Sequence, residues 1–324
     1  MKAIVYKTYG PPDVLKLEEV DKPAPGGNEV LVKVHAASVN SWDWDLLRGK
    51  PDLTSLWGLL KPQYNILGAD IAGRVEAVGI NVKQFQPGDE VFGDISGCGW
   101  GGFAEYVCAP EHALALKMAS MTFEEAAAVP QAAVLALQGI RDKGKLQKGQ
   151  KILVNGAGGG VGTFAVQIAR SFGAEVTGVD STKKLDMLRS IGADHVIDYT
   201  QEDFTRSGLH YDLILDVVAN RSIFDYTNAL GPRGICIIVG GSMVRILQIM
   251  LLVPWISLTG SKKIGILLHK PNQADLNYLK ELFEGGKVLP VIDRCYPLSE
   301  VAEALRYLGE GHARGKVVIT VYRT

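Results

Sequence analysis

Lys151-Ile152-Leu153-Val154-Asn155-Gly156-Ala157-Gly158-Gly159-Gly160-Val161-Gly162 is the stretch that decides the fold of this chain. A β-branched run, Ile152 to Val154, leads straight into a turn with five glycines in seven residues. Beyond the turn, Val161, Ala165, Ile168, Ala169 and Phe172 recur on one helical face, and Gly173 ends the pattern. Glycine is needed where the backbone takes positive φ or where a ligand approaches the main chain closely. A helix that starts directly after such a turn offers unbonded N–H groups and a positive dipole end, a setting that attracts phosphate. The fingerprint reads Ala157-x-Gly159-x-x-Gly162, with alanine in the first glycine position, and Asp180 lies 18 residues past the last glycine. Strand, glycine turn, helix and acid in this order predict a dinucleotide-binding unit, with Ala157, Gly159, Gly160, Val161 and Gly162 facing the pyrophosphate.

Composition agrees with an ordinary globular enzyme. At 324 residues the chain exceeds the length at which one core usually stays whole, so two domains are expected. Hydrophobic residues at 47% and charged ones at 21% exclude a disordered chain. A formal net charge of −1, with no basic cluster, gives no footprint for nucleic acid. The opening Met1-Lys2-Ala3-Ile4-Val5-Tyr6-Lys7 is too short in apolar residues for a secretory signal, and a cytoplasmic location is expected. Residues 246–258 are strongly apolar but shorter than the roughly 20 residues that span a bilayer, and Pro254 interrupts them. They read as a buried interface or pocket wall, with peripheral membrane contact as the other reading. Cys98, Cys108, Cys236 and Cys295 form no C-x-x-C pair, which argues against a disulfide framework and a structural zinc lobe. The six histidines show no metal-binding spacing either.

From Met1 to about residue 120, short β-rich runs alternate with turns such as Pro25-Gly26-Gly27-Asn28 and Pro87-Gly88-Asp89, the pattern of a small, mostly antiparallel barrel. Thr122 and Glu125 form a capping box that opens a helix. From there strand and helix alternate, with strands expected at 152–154, 175–179, 195–197, 212–215 and 235–239. Such alternation builds a doubly wound parallel sheet. The tail from about 270 carries a helix pattern over 274–285 and the strand-like Lys316-Val317-Val318-Ile319-Thr320-Val321. The expected organisation is an N-terminal segment over residues 1–120, a dinucleotide domain over 121–269 and a C-terminal segment over 270–324.

Several further motifs occur along the chain: Ser38-Val39-Asn40 with Asp43-Trp44 and Arg48-Gly49; Leu67-Gly68-Ala69-Asp70-Ile71-Ala72-Gly73; Phe85-Gln86-Pro87-Gly88-Asp89-Glu90-Val91. Gly192-Ala193-Asp194, Val196-Ile197-Asp198-Tyr199 and Gly311-His312-Ala313-Arg314-Gly315-Lys316 complete the set. In these motifs, taken in order, the chain resembles the zinc-free quinone oxidoreductase branch of the medium-chain dehydrogenase/reductase superfamily. Within that branch it is most similar to bacterial relatives of the reticulon-interacting mitochondrial oxidoreductases. The resemblance implies an α/β protein in which a GroES-like β-barrel catalytic domain, rejoined by the C-terminal tail, accompanies a Rossmann domain inserted within it. It also implies an NAD(P)H-dependent enzyme that passes hydride to a small-molecule quinone or enone, and a homodimer.

Departures from the superfamily pattern bear on the chemistry. Zinc-dependent members carry Gly-His-Glu where this chain has Gly68-Ala69-Asp70, and no thiol stands near Val39-Asn40-Ser41, so no metal is expected. An alkoxide product calls for a Lewis acid or a strong donor, and no tyrosine here has lysine four residues on. Hydride transfer to an acceptor that spreads its own charge, a quinone or a conjugated enone, is what such a site can do. By resemblance Asn40 lies near the nicotinamide and donates to a carbonyl, and Asp43 is an acid of the same element with helix capping as its alternative. Asp45 stands where the resemblance places a substrate-side tyrosine, so no tyrosine role carries over to this position. Trp42 and Trp44 read as packing or as an aromatic wall, and Asp70 reads as structural. Gly240 and Lys316 match cofactor-side elements.

Cofactor choice is contested within the sequence. Asp180 suits the ribose hydroxyls of NAD(H) and repels a 2′-phosphate. Ser181, Lys184 and Tyr199 match positions that grip that phosphate in related NADPH enzymes. The balance favours NADP(H), with NAD(H) as the alternative. Two other functions stay open: an enoyl-thioester or alkenal reductase on the same scaffold, and a dinucleotide-binding protein without turnover.

Overall fold

The structure, a computed structural model, describes residues 1–49, 61–240 and 261–322. The chain divides into two compact units: Met1–Ala132 with Pro271–Glu281 and Ile292–Thr324, and Ala133–Lys270 with Leu282–Val291. The apolar run over residues 246–258 lies outside the described residues.

In the first unit, β1 (Lys2–Val5) pairs antiparallel with β2 (Lys16–Glu19). The larger sheet is built on β3 (Glu29–Val39), followed in the chain by α1 (Ser41–Leu47), β4 (Asp70–Val78), β5 (Glu90–Asp94), β6 (Tyr106–Pro110) and β7 (Leu114–Leu116). β3 lies between β4 and β15 (Lys316–Thr320), and β6 also pairs with it. The C-terminal β15 runs antiparallel to β3 with Val317 opposite Val39, which places this part of the tail in the first unit. Among the described residues of this sheet, only β14 (Ile292–Pro297) and β15 pair in parallel. Alternation explains the burial: Val30, Val32 and Val34 of β3 enter the core, while Lys33 and His35 stay at its edge. The expected capping box is present: Glu125 N–H donates to Thr122 Oγ1 at 3.1 Å, and Thr122 N–H to the Glu125 carboxylate at 2.8 Å. Its helix, α2 (Phe123–Ala127), stops ahead of Pro130, and α3 (Pro130–Leu137) starts there.

Among the described residues the second unit holds a six-stranded, wholly parallel sheet. Its strands are β8 (Lys151–Asn155), β9 (Glu175–Asp180), β10 (His195–Asp198), β11 (Tyr211–Asp216), β12 (Leu230–Ile238) and β13 (Lys263–Ile266). Their spatial order is β10-β9-β8-β11-β12-β13, the doubly wound order that reverses between β8 and β11. The helices along it are α4 (Gly160–Ser171), α5 (Leu185–Ser190) and α6 (Ile223–Ala229). Ile152, Leu153 and Val154 are wholly buried, as expected of a strand covered on both faces.

The helix pattern in the tail forms α7 (Gln273–Glu284). The next helix, α8 (Val301–Gly309), adds Val301, Ala304 and Leu305 to the core of the first unit at i, i+3 and i+4. Two strands of the parallel sheet differ from the sequence expectation. β12 starts at Leu230, because Gly231-Pro232-Arg233-Gly234 reads as a turn but forms an irregularity inside the strand, with Arg233 at φ +66°. β13 gives too weak a sequence signal, being four residues long and holding Gly265.

Candidate functional site

The glycine turn occupies the carboxyl end of β8, beside the reversal of strand order, where open α/β sheets bind ligands. Gly156 takes φ +80°, a left-handed conformation that glycine adopts freely. Gly162 is required for a different reason: a Cβ there would lie 2.2 Å from the Gly156 carbonyl oxygen and 2.6 Å from Ala157 backbone atoms. Gly159, the helix N-cap, has φ −91° and ψ −177°, and a Cβ on it would meet only Gly156 O, at 3.5 Å. The space before Gly159 is therefore open. Helical geometry leaves the N–H groups of Gly160, Val161 and Gly162 without an intrahelical acceptor, since the first such bond runs from Thr163 N to Gly159 O, 3.0 Å. An open glycine face and three donors without an intrahelical acceptor, at the positive end of a 12-residue helix, fit a pyrophosphate.

Asp180, at the end of β9, is already engaged. Its Oδ2 accepts from Gly158 N–H at 2.8 Å, its Oδ1 accepts from Ser181 N–H at 2.8 Å, and Lys184 Nζ lies 3.5 Å from Oδ1. The Tyr199 main chain joins the group by donating to Asp180 O at 3.2 Å, while the Tyr199 ring is exposed. The neighbouring Asp198 carboxyl is held below the usual range by hydroxyls of Thr182 and Thr200. Gly240 lies just past β12 with φ +81°.

A second constellation belongs to the first unit. Three adjoining strands, β15, β3 and β4, place Lys316, Asn40 and Asp70 together: Val317 faces Val39 and Ser38 faces Asp70. Asp70 is fully buried, Lys316 is 2% exposed and Asn40 is 7% exposed. Lys316 Nζ donates to Asn40 Oδ1 at 2.5 Å and lies 3.5 Å from Asp70 Oδ2. Asn40 Nδ2 donates to Asp70 Oδ2 at 3.0 Å, and Ser38 Oγ donates to the same oxygen at 2.9 Å. Gln131 N–H, at the start of α3, donates to Asp70 Oδ1 at 3.0 Å. Asp70 thus accepts from every neighbour, the pattern of a carboxylate anion, and Lys316 faces only acceptors. Burial pushes the Asp70 carboxyl up, against the opposing pull of Lys316, and pushes Lys316 down, against Asp70 and Asp43.

Asp43 takes the capping role. Its Oδ2 accepts from Asn40 N–H at 2.8 Å and its Oδ1 from Gly68 N–H at 2.9 Å, so it ties the start of α1 to the strand approach before β4. Burial pushes its carboxyl up to about 7, although both N–H bonds act against the rise. The folded state therefore holds the Asp43 proton more tightly than an unfolded chain, in which aspartate titrates near about 3.9. The stability this proton confers is complete below about pH 4 and is lost as the pH rises to about 7. Asp43→Asn removes that slope, and its amide must also turn an N–H toward one of two N–H donors, at about 1–3 kcal/mol. The stability gap between wild type and variant, from urea unfolding at several pH values between about 5 and 8, should be widest at the acid end and narrow toward the alkaline end. A gap that stays constant would mean Asp43 titrates normally.

Of the residues singled out in the sequence, the structure brings Asn40, Asp43 and Lys316 together in the first unit, and Ala157, Gly159 to Gly162, Asp180, Ser181 and Lys184 together in the second. Lys316, read as cofactor-side, is a partner of Asn40. Asp70, read as structural, is the hub of the first constellation. Ser38 and Gln131 carried no sequence signal for joining it, because the contacts depend on strand register and on a backbone N–H. The Gln131 Nε2 atom is buried without a partner among the described residues. Trp44 packs against α8, where a Cβ on Gly309 would lie 2.5 Å from its ring. Trp42 is half exposed and meets Trp100 edge-on at 6.4 Å.

A zinc ion does not fit the Gly68-Ala69-Asp70 stretch. Ala69 offers no ligand, Asp70 already holds an ammonium, and no group of three or more His, Cys, Asp or Glu side chains among the described residues could hold a metal. No helix among the described residues is long and apolar enough to cross a membrane.

Comparison with known proteins adds independent support. Residues 191–319 match the family described as zinc-binding dehydrogenase, and residues 26–119 match the alcohol dehydrogenase GroES-like domain. The chain is 38% identical over 330 residues to the 2-methylene-furan-3-one reductase of Solanum lycopersicum, covering 98% of this chain and 79% of that protein. It is 33% identical over 363 residues to the mitochondrial NAD(P)H oxidoreductase RTN4IP1 of Mus musculus, covering 99% and 89%. Among solved structures, the quinone oxidoreductase from Coxiella burnetii superposes with a TM-score of 0.90 at 31% identity, over 99% of each chain.

Proposed function

The chain belongs to the medium-chain dehydrogenase/reductase superfamily, in the quinone oxidoreductase branch, and on that premise we propose that it reduces quinones or conjugated enones with NADPH and without a metal. It is an NAD(P)H-dependent oxidoreductase with a nicotinamide cofactor and a small-molecule substrate. The relatives point to the acceptor class: one is a quinone oxidoreductase, and 2-methylene-furan-3-one is itself a conjugated enone. The observation that carries the reading is the buried Asn40 amide, held between an ammonium and a carboxylate, with no zinc-binding group among the described residues.

When bound, the nicotinamide supplies the hydride. The protein's own groups bind and orient the two reactants, and the proton that completes the reduction comes from water or a neighbouring side chain. Gly160, Val161 and Gly162 N–H groups hold the pyrophosphate, and the open Gly159 face lets it approach. Asn40 Nδ2 donates to the acceptor oxygen as negative charge develops there, which suits an acceptor that delocalises that charge over a ring or an enone. The paired state of Asp180 supports NADPH, because Gly158, Ser181 and Lys184 offset a carboxylate that would otherwise repel a 2′-phosphate. A cytoplasmic homodimer completes the proposal.

The test is a steady-state screen of quinones, enones and simple ketones with NADPH, with and without chelator. Quinones and enones should turn over, simple ketones should not, and the chelator should have no effect. Asn40→Ala should lower kcat for the best acceptor by at least about tenfold, a modest share of what a single oxyanion donor contributes elsewhere. Stoichiometric zinc by elemental analysis, or activity lost to chelator, would overturn the metal-free reading.

A further inference from the structure

A side-chain amide can sit in either of two orientations related by a flip, with oxygen and nitrogen exchanged. At Asn40 the surroundings permit one. Lys316 has only donors, so Oδ1 must face it, and a carboxylate has only acceptors, so Nδ2 must face Asp70. Lys316 is itself fixed from behind, donating to Val39 O at 3.4 Å. Asp70 is fixed by Ser38 Oγ and Gln131 N–H. One of the two Nδ2 hydrogens goes to Asp70, and the other has no acceptor among the described residues.

We propose that Lys316 and Asp70 are positioning residues: they clamp the Asn40 amide in a single orientation and keep its second N–H directed to the acceptor oxygen. The inference rests on the reading of Asn40 as the acceptor's donor. A lysine and an aspartate brought 3.5 Å apart in a fully buried place carry a large desolvation cost that two apolar residues would avoid. Their contacts with the one amide between them give that arrangement a use. Lys316 then acts through Asn40, not through the cofactor.

Lys316→Met keeps most of the stem and removes the donor. NADPH-dependent turnover of the best quinone should fall in kcat by roughly threefold, less than in Asn40→Ala because Asp70 still holds one side of the amide, with the NADPH Kd changed by no more than about twofold. On the Asn40→Ala background the same substitution should cost nothing further, because the group it positions is gone. Should Lys316→Met fail to fold with Asp70 left unpaired, the double variant Lys316→Met/Asp70→Asn removes both charges, and the same comparison applies to it. In the wild type, the Asn40 side-chain NH2 pair, assigned by its loss in Asn40→Ala, should exchange slowly with water and move to fast exchange in either variant. Additive losses, an NADPH Kd that weakens with kcat unchanged, or an unaltered amide exchange rate would each overturn the clamp while leaving Asn40 its role. An Asn40→Ala enzyme with wild-type kcat would instead overturn the functional reading, and the clamp with it.

Discussion

Gly162→Val abolishes the folded second unit, whereas Gly159→Ala leaves it standing and loses only cofactor affinity. The two glycines look equivalent in the fingerprint, but their surroundings differ. A Cβ on Gly162 would sit 2.2 Å from Gly156 O and 2.6 Å from Ala157 C and Cα, all main-chain atoms that cannot turn aside. The helix would have to lift off the strand that precedes it, and the packing between the two elements, whose Ile152 to Val154 and Phe164, Ala165 and Ile168 are all wholly buried, would open. Losses of this kind exceed about 4 kcal/mol, a large part of a typical margin of about 5–15 kcal/mol. Gly159 already has a φ open to any residue, and its Cβ would find only one atom, at 3.5 Å. Alanine there fits the protein but fills the space a phosphate needs. The NADPH Kd should rise by at least about tenfold, or about 1.4 kcal/mol, with an unchanged melting temperature. Circular dichroism melts and a fluorescence titration separate the two outcomes. A Gly162→Val protein that melts like wild type would refute the packing argument, and an unchanged Kd in Gly159→Ala would move the phosphate site elsewhere.

What the sequence made legible was whatever depends on neighbours in the chain. The glycine turn, its strand and helix, and the Thr122–Glu125 capping box are local, so pattern and spacing sufficed. The alternating order of strands and helices then implied the parallel sheet. Asp70 shows where local reading ends. Next to Ala69 it looks like the remnant of a lost metal motif, and only the register of β3 against β4 and β15 brings Ser38, Asn40 and Lys316 onto it. Lys316 is separated from Asn40 by 276 residues, a distance no periodicity spans. β12 failed for the opposite reason: Gly231-Pro232-Arg233-Gly234 is a strong local turn signal that the strand absorbs as an irregularity. The competition between Asp180 and Lys184 could be seen in the sequence, but not that the two side chains meet each other.

That meeting sharpens the prediction on cofactor choice. Lys184 Nζ lies 3.5 Å from Asp180 Oδ1, with both side chains mostly buried, so the lysine can neutralise the acid and still offer a second hydrogen to a 2′-phosphate. Lys184→Ala removes the phosphate contact and at the same time leaves Asp180 uncompensated, and both changes act against NADPH. NADPH binding should weaken by about 1.5–3 kcal/mol, the usual value of a hydrogen bond to a charged group. NADH, with no 2′-phosphate, should bind nearly as before. For the acid, serine is a poor probe, because Asp180 Oδ2 also accepts from Gly158 N–H and the turn would lose that support. Asparagine keeps an acceptor for Gly158 N–H and removes the charge, with its amide N–H then set against Ser181 N–H. Asp180→Asn should therefore tighten NADPH and weaken NADH, whose ribose hydroxyls prefer a carboxylate. Titrating both cofactors into wild type and the two variants decides the matter. If Asp180→Asn damages NADH binding while Lys184→Ala changes neither cofactor, the acid reads the ribose, and this oxidoreductase works with NADH.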